Sequence, residues 1–246
     1  MKATDFFVPE AGAISLFLDV DGTLLDLAPT PDSVAVSKAL VDELAHAEQR
    51  LEGALALVSG RPIEQLDVLF APLRLPASGV HGAEIRYSAH EPTRPLIPDR
   101  LPAGAWVEFQ QLLDRFPGSL AENKGVSFAA HYYLAGPVED ELYSALQRFR
   151  EKFPLLDLEL ASGRKVFELK LRGFDKGAAI RQFMRRAPFA GRRPVFIADD
   201  KIDRPGFETV LALGGAAFSV GVEMPGLSGS FARPAAVREW LARVVA

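Results

Sequence analysis

Residues 14–25 read Ile-Ser-Leu-Phe-Leu-Asp-Val-Asp-Gly-Thr-Leu-Leu, an apolar run that closes on Asp19, Asp21 and a Gly22-Thr23 turn. The run has the length and character of a buried strand. Alternate residues of extended chain project to one side, so Asp19 and Asp21 can offer a nucleophile and an acid/base to the same ligand. Asp-Gly is also an ordinary turn signal, and Asp-x-Asp recurs in calcium loops. A calcium loop counted from Asp19 needs glycine at its sixth place and glutamate at its twelfth, where this chain has Leu24 and Thr30. The calcium reading fails, and phosphoryl transfer through an aspartyl phosphate is the chemistry the pair suggests.

Outward from this strand, Ser33 to Gln49 is spaced as an amphipathic helix and ALALVSG as a second strand, with a helix from Pro62 through Leu69. PASGVHG and AEIRY continue the strand pattern. This alternation predicts a parallel sheet covered by helices on both faces. The rhythm changes near Pro98–Gly104. A helix over 105–116, strands near 119–123 and 126–133, a helix over 138–152, and strands near 156–161 and 165–170 then follow. Two helix-strand-strand units predict a small sheet with its helices on one side, inserted into the first fold. From Asp175 the first pattern returns, with a helix from Lys176, strands PVFIA and AAFSV, and a helix from Pro234 to Val245. The expected organisation is a core from 1–103 and 173–246 around an inserted α/β domain at 104–172.

The chain has 246 residues, 48% hydrophobic and 24% charged, which suits a globular protein of one or two domains. Its net charge of −4 and the absence of a long basic run give no reason for a nucleic-acid surface. No cysteine is present, which excludes disulfides, thiolate metal sites and a cysteine nucleophile. Asp5 and Glu10 interrupt the stretch where a secretory signal would be apolar, and no segment reaches the roughly 20 apolar residues that span a bilayer. The expectation is a cytoplasmic enzyme without a membrane partner.

Asp19, Ser59 and Asp199 each directly follow an apolar strand-like run. Ligands of open parallel sheets bind outside the carboxyl ends of the strands, so the three can line one pocket. Asp199, Asp200 and Asp203 form a second acidic cluster, and magnesium would offset the cost of burying it near Asp19. Ser59-Gly60-Arg61 precedes a helix and can cradle a phosphate, and Lys176 can neutralise its charge. Each piece alone also has a plainer reading as a turn, a polar loop or a solvated lysine.

Together, and in this order, these segments resemble the motifs of the haloacid dehalogenase superfamily. LVSGRP, GVHGAE, AENKGVSFAAHYY, VFELKLRGFDKGAAI and FIADDKIDRPGF narrow the resemblance to trehalose-6-phosphate phosphatases. The resemblance implies a doubly wound α/β core with an inserted cap. It makes Asp19 the nucleophile and Asp21 the acid and then the base. Asp19, the backbone carbonyl of Asp21, and Asp199 would hold magnesium, with Asp200 and Asp203 as further residues of the metal site. Ser59 and Lys176 would bind the phosphoryl group, and Gly22, Thr23, Gly60, Arg61 and His81 would be among the substrate-binding residues. Glu122, Lys124, His131 and Lys170 would meet the disaccharide. Functional coupling to a trehalose-phosphate synthase is a further expectation. Ala198 before the acidic pair, Ile202, Arg204 and Pro205 after it, and Tyr133 after His-Tyr depart from the family pattern. The rivals are a phosphatase of glucosylglycerol or mannosylglycerate phosphates and a non-catalytic sugar-phosphate sensor.

Overall fold

The computed structural model describes residues 12–27, 34–96, 100–163 and 165–244. In chain order its elements are β1 (Ile14–Leu18), α1 (Lys38–Arg50), β2 (Leu55–Val58), α2 (Ile63–Leu69), β3 (Ala77–Gly79), β4 (Glu84–Arg86), β5 (Arg94–Pro95), α3 (Ala103–Leu113), β6 (Leu120–Asn123), β7 (Ser127–His131), α4 (Glu139–Lys152), β8 (Leu158–Gly163), β9 (Val166–Leu171), α5 (Lys176–Phe183), β10 (Arg193–Ala198), α6 (Arg204–Ala212), β11 (Ala216–Val220), β12 (Gly229–Phe231) and α7 (Pro234–Val244). They fall into two compact units, one of Met1–Leu96 with Asp175–Ala246 and one of Ile97–Phe174.

In the first unit β1 is buried at all five positions, as an interior strand of a parallel sheet must be. The strand order is β12-β11-β10-β1-β2-β3-β4-β5. From β12 to β3 all pairings are parallel, the expected parallel core, and β4 and β5 add an antiparallel edge to it. The reversal is made at Val80, His81 and Gly82, whose φ values of +47°, +53° and +106° turn the chain back on itself. A valine and a histidine are poor advertisements for a left-handed turn, so the sequence reads straight through it.

Helix α1 begins at Lys38, later than the expected Ser33, which lies outside the described residues. Its cap is Ser37, whose Oγ accepts the Leu40 N–H. Helix α6 and strands β5 and β12 were not anticipated. Pro205 sits in the first turn of α6, where a missing N–H costs nothing, and the helix buries Phe207 and Val210.

The second unit carries the antiparallel sheet β6-β7-β9-β8. One face supplies Phe128, Ala130, Phe167, Leu169 and Leu158 to a core with Phe109 and Leu113 of α3 and Leu142, Leu146 and Phe149 of α4. The unit is longer at both ends than the expected 104–172. Leu101 donates its N–H to the carbonyl of Gly125, and the Lys170 ammonium donates to the carbonyl of Phe174, so both flanks are tied to it. Among the described residues no helix is long and apolar enough to cross a membrane.

Candidate active site

Strand order brings the core candidates together. Asp19 follows β1 and donates its N–H to Ile197 O of β10, while Asp199 follows β10 directly. Lys176, the first residue of α5 after the Asp175 cap, is buried with its ammonium 2.7 Å from Asp19 Oδ1 and 2.5 Å from Asp203 Oδ1. The Thr23 hydroxyl lies 3.4 Å from both Asp19 Oδ2 and Asp199 Oδ1. Gly22 makes this closeness possible: its φ is +77°, and a Cβ there would stand 2.1 Å from Asp199 Oδ2.

Asp19, Asp199 and Asp203 each present a carboxylate oxygen within 4.8 Å of the others. Burial, reinforced by the charges of Asp19 and Asp203, pushes the Asp199 carboxyl up to about 9. Burial likewise raises Asp203, to about 7, although Lys176 pulls the other way. Burial alone works against the Lys176 ammonium, but Asp19 and Asp203 outweigh it and hold Lys176 above its usual range. Among the described residues Lys176 thus pairs with two of the three carboxylates, Asp19 and Asp203, and acts on Asp199 through its charge. A hard, oxygen-seeking divalent ion fits this donor set and would relieve the remaining charge. The Asp200 side chain is not in the group; it accepts the Ile202 N–H and caps the turn at Lys201–Asp203.

The Asp21 side chain points elsewhere. Its two carboxylate oxygens accept from Arg61 Nε at 2.6 Å and Nη2 at 2.7 Å, a bidentate pair joining the loops after β1 and β2. Ser59 is buried at the end of β2, and its Oγ accepts the Arg61 N–H at 3.1 Å. His81 packs on Gly60, where a Cβ would come within 2.5 Å of the imidazole Nε2.

In the second unit the other face of the sheet is polar. Cross-strand register lines up Glu122, Ala129, Glu168 and Ala161, and beside them Ser127, Lys170 and Glu159. His131 Nε2 lies 2.8 Å from Glu122 Oε2, and Lys124 Nζ lies 3.9 Å from both Glu122 and Glu168. Burial pushes the Glu122 carboxyl up, but the His131 hydrogen bond and the Lys124 charge more than reverse this and hold it below the usual range. Lys170 pairs with Glu159 at 2.9 Å. The Ser127 hydroxyl donates to Glu168 at 2.5 Å, and Glu168 is almost wholly buried.

The structure therefore assembles Asp19, Thr23, Lys176, Asp199 and Asp203 in one cluster, Asp21 with Arg61 and Ser59 beside a second contact, and Glu122, Lys124 and His131 on one face of the second unit. Sequence reasoning passed over Glu168, Ser127 and Glu159. The alternation of Glu168 and Lys170 in VFELKL was the available signal, and its meaning depended on which strand lay opposite.

The fold is haloacid dehalogenase-like. The C-terminal domain of Candida albicans trehalose-6-phosphate phosphatase superposes with a TM-score of 0.81 at 17% identity, over 96% of this chain and 92% of that one. The family model described as trehalose-phosphatase matches residues 17–230, and the chain belongs to that family. Escherichia coli trehalose-6-phosphate phosphatase is 39% identical over 95% of this chain and 87% of its own length. A probable trehalose-phosphate phosphatase of Sinorhizobium fredii is 40% identical over 86% and 79%. A Dictyostelium discoideum protein named as an α,α-trehalose-phosphate synthase is 29% identical over 79% of this chain and 25% of its own length.

Proposed function

We propose that this chain hydrolyses trehalose 6-phosphate to trehalose and phosphate, with magnesium, through an aspartyl phosphate on Asp19. The observation that carries the reading is Lys176 bridging Asp19 and Asp203 inside a buried acidic cluster. Burying such charge costs several kcal/mol, which a scaffold has no need to spend and phosphoryl transfer does.

In the first half-reaction an Asp19 oxygen attacks phosphorus, the bond from phosphorus to the sugar oxygen breaks, and that oxygen takes the proton of the Asp21 carboxyl. In the second, Asp21 takes a proton from water while the water oxygen attacks phosphorus; the Asp19–phosphorus bond breaks and phosphate leaves. Ser59 and Lys176 hold the phosphoryl oxygens, with Gly22, Thr23 and Gly60 shaping the loops around them. Asp19, the Asp21 carbonyl and Asp199 would hold the magnesium, with Asp203 adjoining, and when bound it supplies positive charge to the phosphoryl group. Glu122, Lys124, His131 and Lys170 take sugar hydroxyls. Coupling to a trehalose-phosphate synthase belongs to the same proposal, and co-purification with one would support it.

The deciding experiment is phosphate release from a panel of sugar phosphates in magnesium and in excess chelator. Fast, metal-dependent turnover of trehalose 6-phosphate is expected. Preference for another sugar phosphate would overturn the substrate, and undiminished activity in chelator would remove the metal.

A further inference from the structure

Asp21 is assigned to give and take protons, yet both of its carboxylate oxygens are held by one guanidinium. We propose that Arg61 is the positioning residue for Asp21. Its fork fixes the plane of the carboxylate in the resting enzyme; one of the two bonds opens when a phosphate ester arrives, and the retained bond aims the freed oxygen at the leaving group. The inference rests on the acid/base assignment of Asp21.

Two features of the frame support it. A bidentate guanidinium–carboxylate pair sets orientation as well as distance, which a single charge does not. Both ends of the pair are also anchored. The Arg61 N–H donates to Ser59 Oγ at 3.1 Å, and its carbonyl accepts the Val80 N–H at 3.1 Å. Gly79 lets the backbones approach so closely that a Cβ there would stand 2.8 Å from the Arg61 carbonyl. On the other side a bridge joins Asp21 to Leu25, and the Gly22 N–H donates to Leu25 O at 2.8 Å. The Arg61 side chain is only 12% exposed, so few alternative placements are open to it.

The test compares Arg61→Met and Arg61→Lys in the wild-type and Asp21→Asn backgrounds. First-turnover alcohol release is measured from a sugar phosphate and from an aryl phosphate, together with KM, the inhibition constant of inorganic phosphate, and the melting temperature. In the wild-type background, Arg61→Met is expected to slow the sugar phosphate step by about 10- to 100-fold. The aryl phosphate, whose leaving group needs little protonation, should slow less than about threefold, with KM and phosphate inhibition unchanged. Arg61→Lys should recover little, because it restores charge without the fork. In the Asp21→Asn background neither change should cost anything further.

Three results would overturn the proposal. Weakened phosphate inhibition with equal loss on both esters makes Arg61 a phosphate ligand. A loss that persists in the Asp21→Asn background separates it from Asp21. A lowered melting temperature with proportional loss on every substrate makes the pair a structural clip. Any alkyl phosphate that the wild type hydrolyses can replace trehalose 6-phosphate, so a mistaken sugar leaves the comparison intact. If Asp21→Asn alone leaves every first turnover unchanged, the acid/base assignment itself falls.

Discussion

The Lys176 ammonium meets the Asp203 carboxylate at 2.5 Å, with both side chains almost completely out of solvent. A pair of this kind contributes little net stability as a whole, but removing one member leaves an uncompensated buried charge. Lys176→Met is therefore expected to lower unfolding free energy by about 3–5 kcal/mol in the metal-free protein and kcat by about 10²- to 10³-fold. Urea titration and phosphate release measure the two effects. A variant with unchanged stability and turnover would show that Lys176 serves neither the cluster nor the chemistry.

Asp19→Asn is nearly isosteric, and its amide cannot act as the carboxylate nucleophile. Turnover of every phosphate ester should vanish while the far-ultraviolet circular dichroism stays that of the folded protein. Residual activity close to that of the parent would refute the assignment.

The acidic cluster makes a signed prediction about pH. Asp199 is raised to about 9 and Asp203 to about 7 from an ordinary 3.8, so the metal-free folded state binds these protons more tightly than the unfolded chain. Their contribution to stability is complete at low pH and is lost as pH rises through the folded values. In chelator the melting temperature should fall between about pH 5 and 9, a window set by those raised values. Stabilisation by added magnesium should grow over the same range, because the ion competes with the protons. A metal response that is constant with pH would show that these carboxylates do not hold the ion.

In the second unit, Glu122 stays ionised between His131 and Lys124. A hydrogen bond from a sugar hydroxyl to such a carboxylate is worth roughly 1.5–3 kcal/mol, or about 10- to 100-fold in kcat/KM. Glu122→Ala should weaken trehalose 6-phosphate turnover by about that factor and leave a small aryl phosphate nearly untouched. Proportional loss on both substrates would assign Glu122 a structural role, and no loss on either would remove it from sugar recognition.

Much of the core was readable because its signals are local. The apolar run into Asp19, the strand before Ser59, the helix from Lys176 and PVFIA before Asp199 are each marked within a few residues of sequence. What stayed hidden depends on partners distant in sequence. Arg61 reads as part of a phosphate loop until β1 and β2 lie side by side and Asp21 claims it. Glu168 reads as a polar strand residue until Ser127, 41 positions away, supplies its hydrogen bond. The edge reversal at Val80–His81 escaped notice because neither side chain favours the backbone conformation it adopts.

The pairing of β1 with β10 has a consequence for biosynthesis. Ile14–Leu18 leaves the ribosome well before its neighbour Arg193–Ala198, which is made only after the whole second unit. At translation rates of about 5–20 residues per second, one edge of a strand that is buried at every position in the folded protein goes without its partner for roughly ten seconds or more. Chains halted before residue 193 would carry that open edge permanently, together with an Asp19 that has no Asp199, so truncated products of this gene should be insoluble and inert.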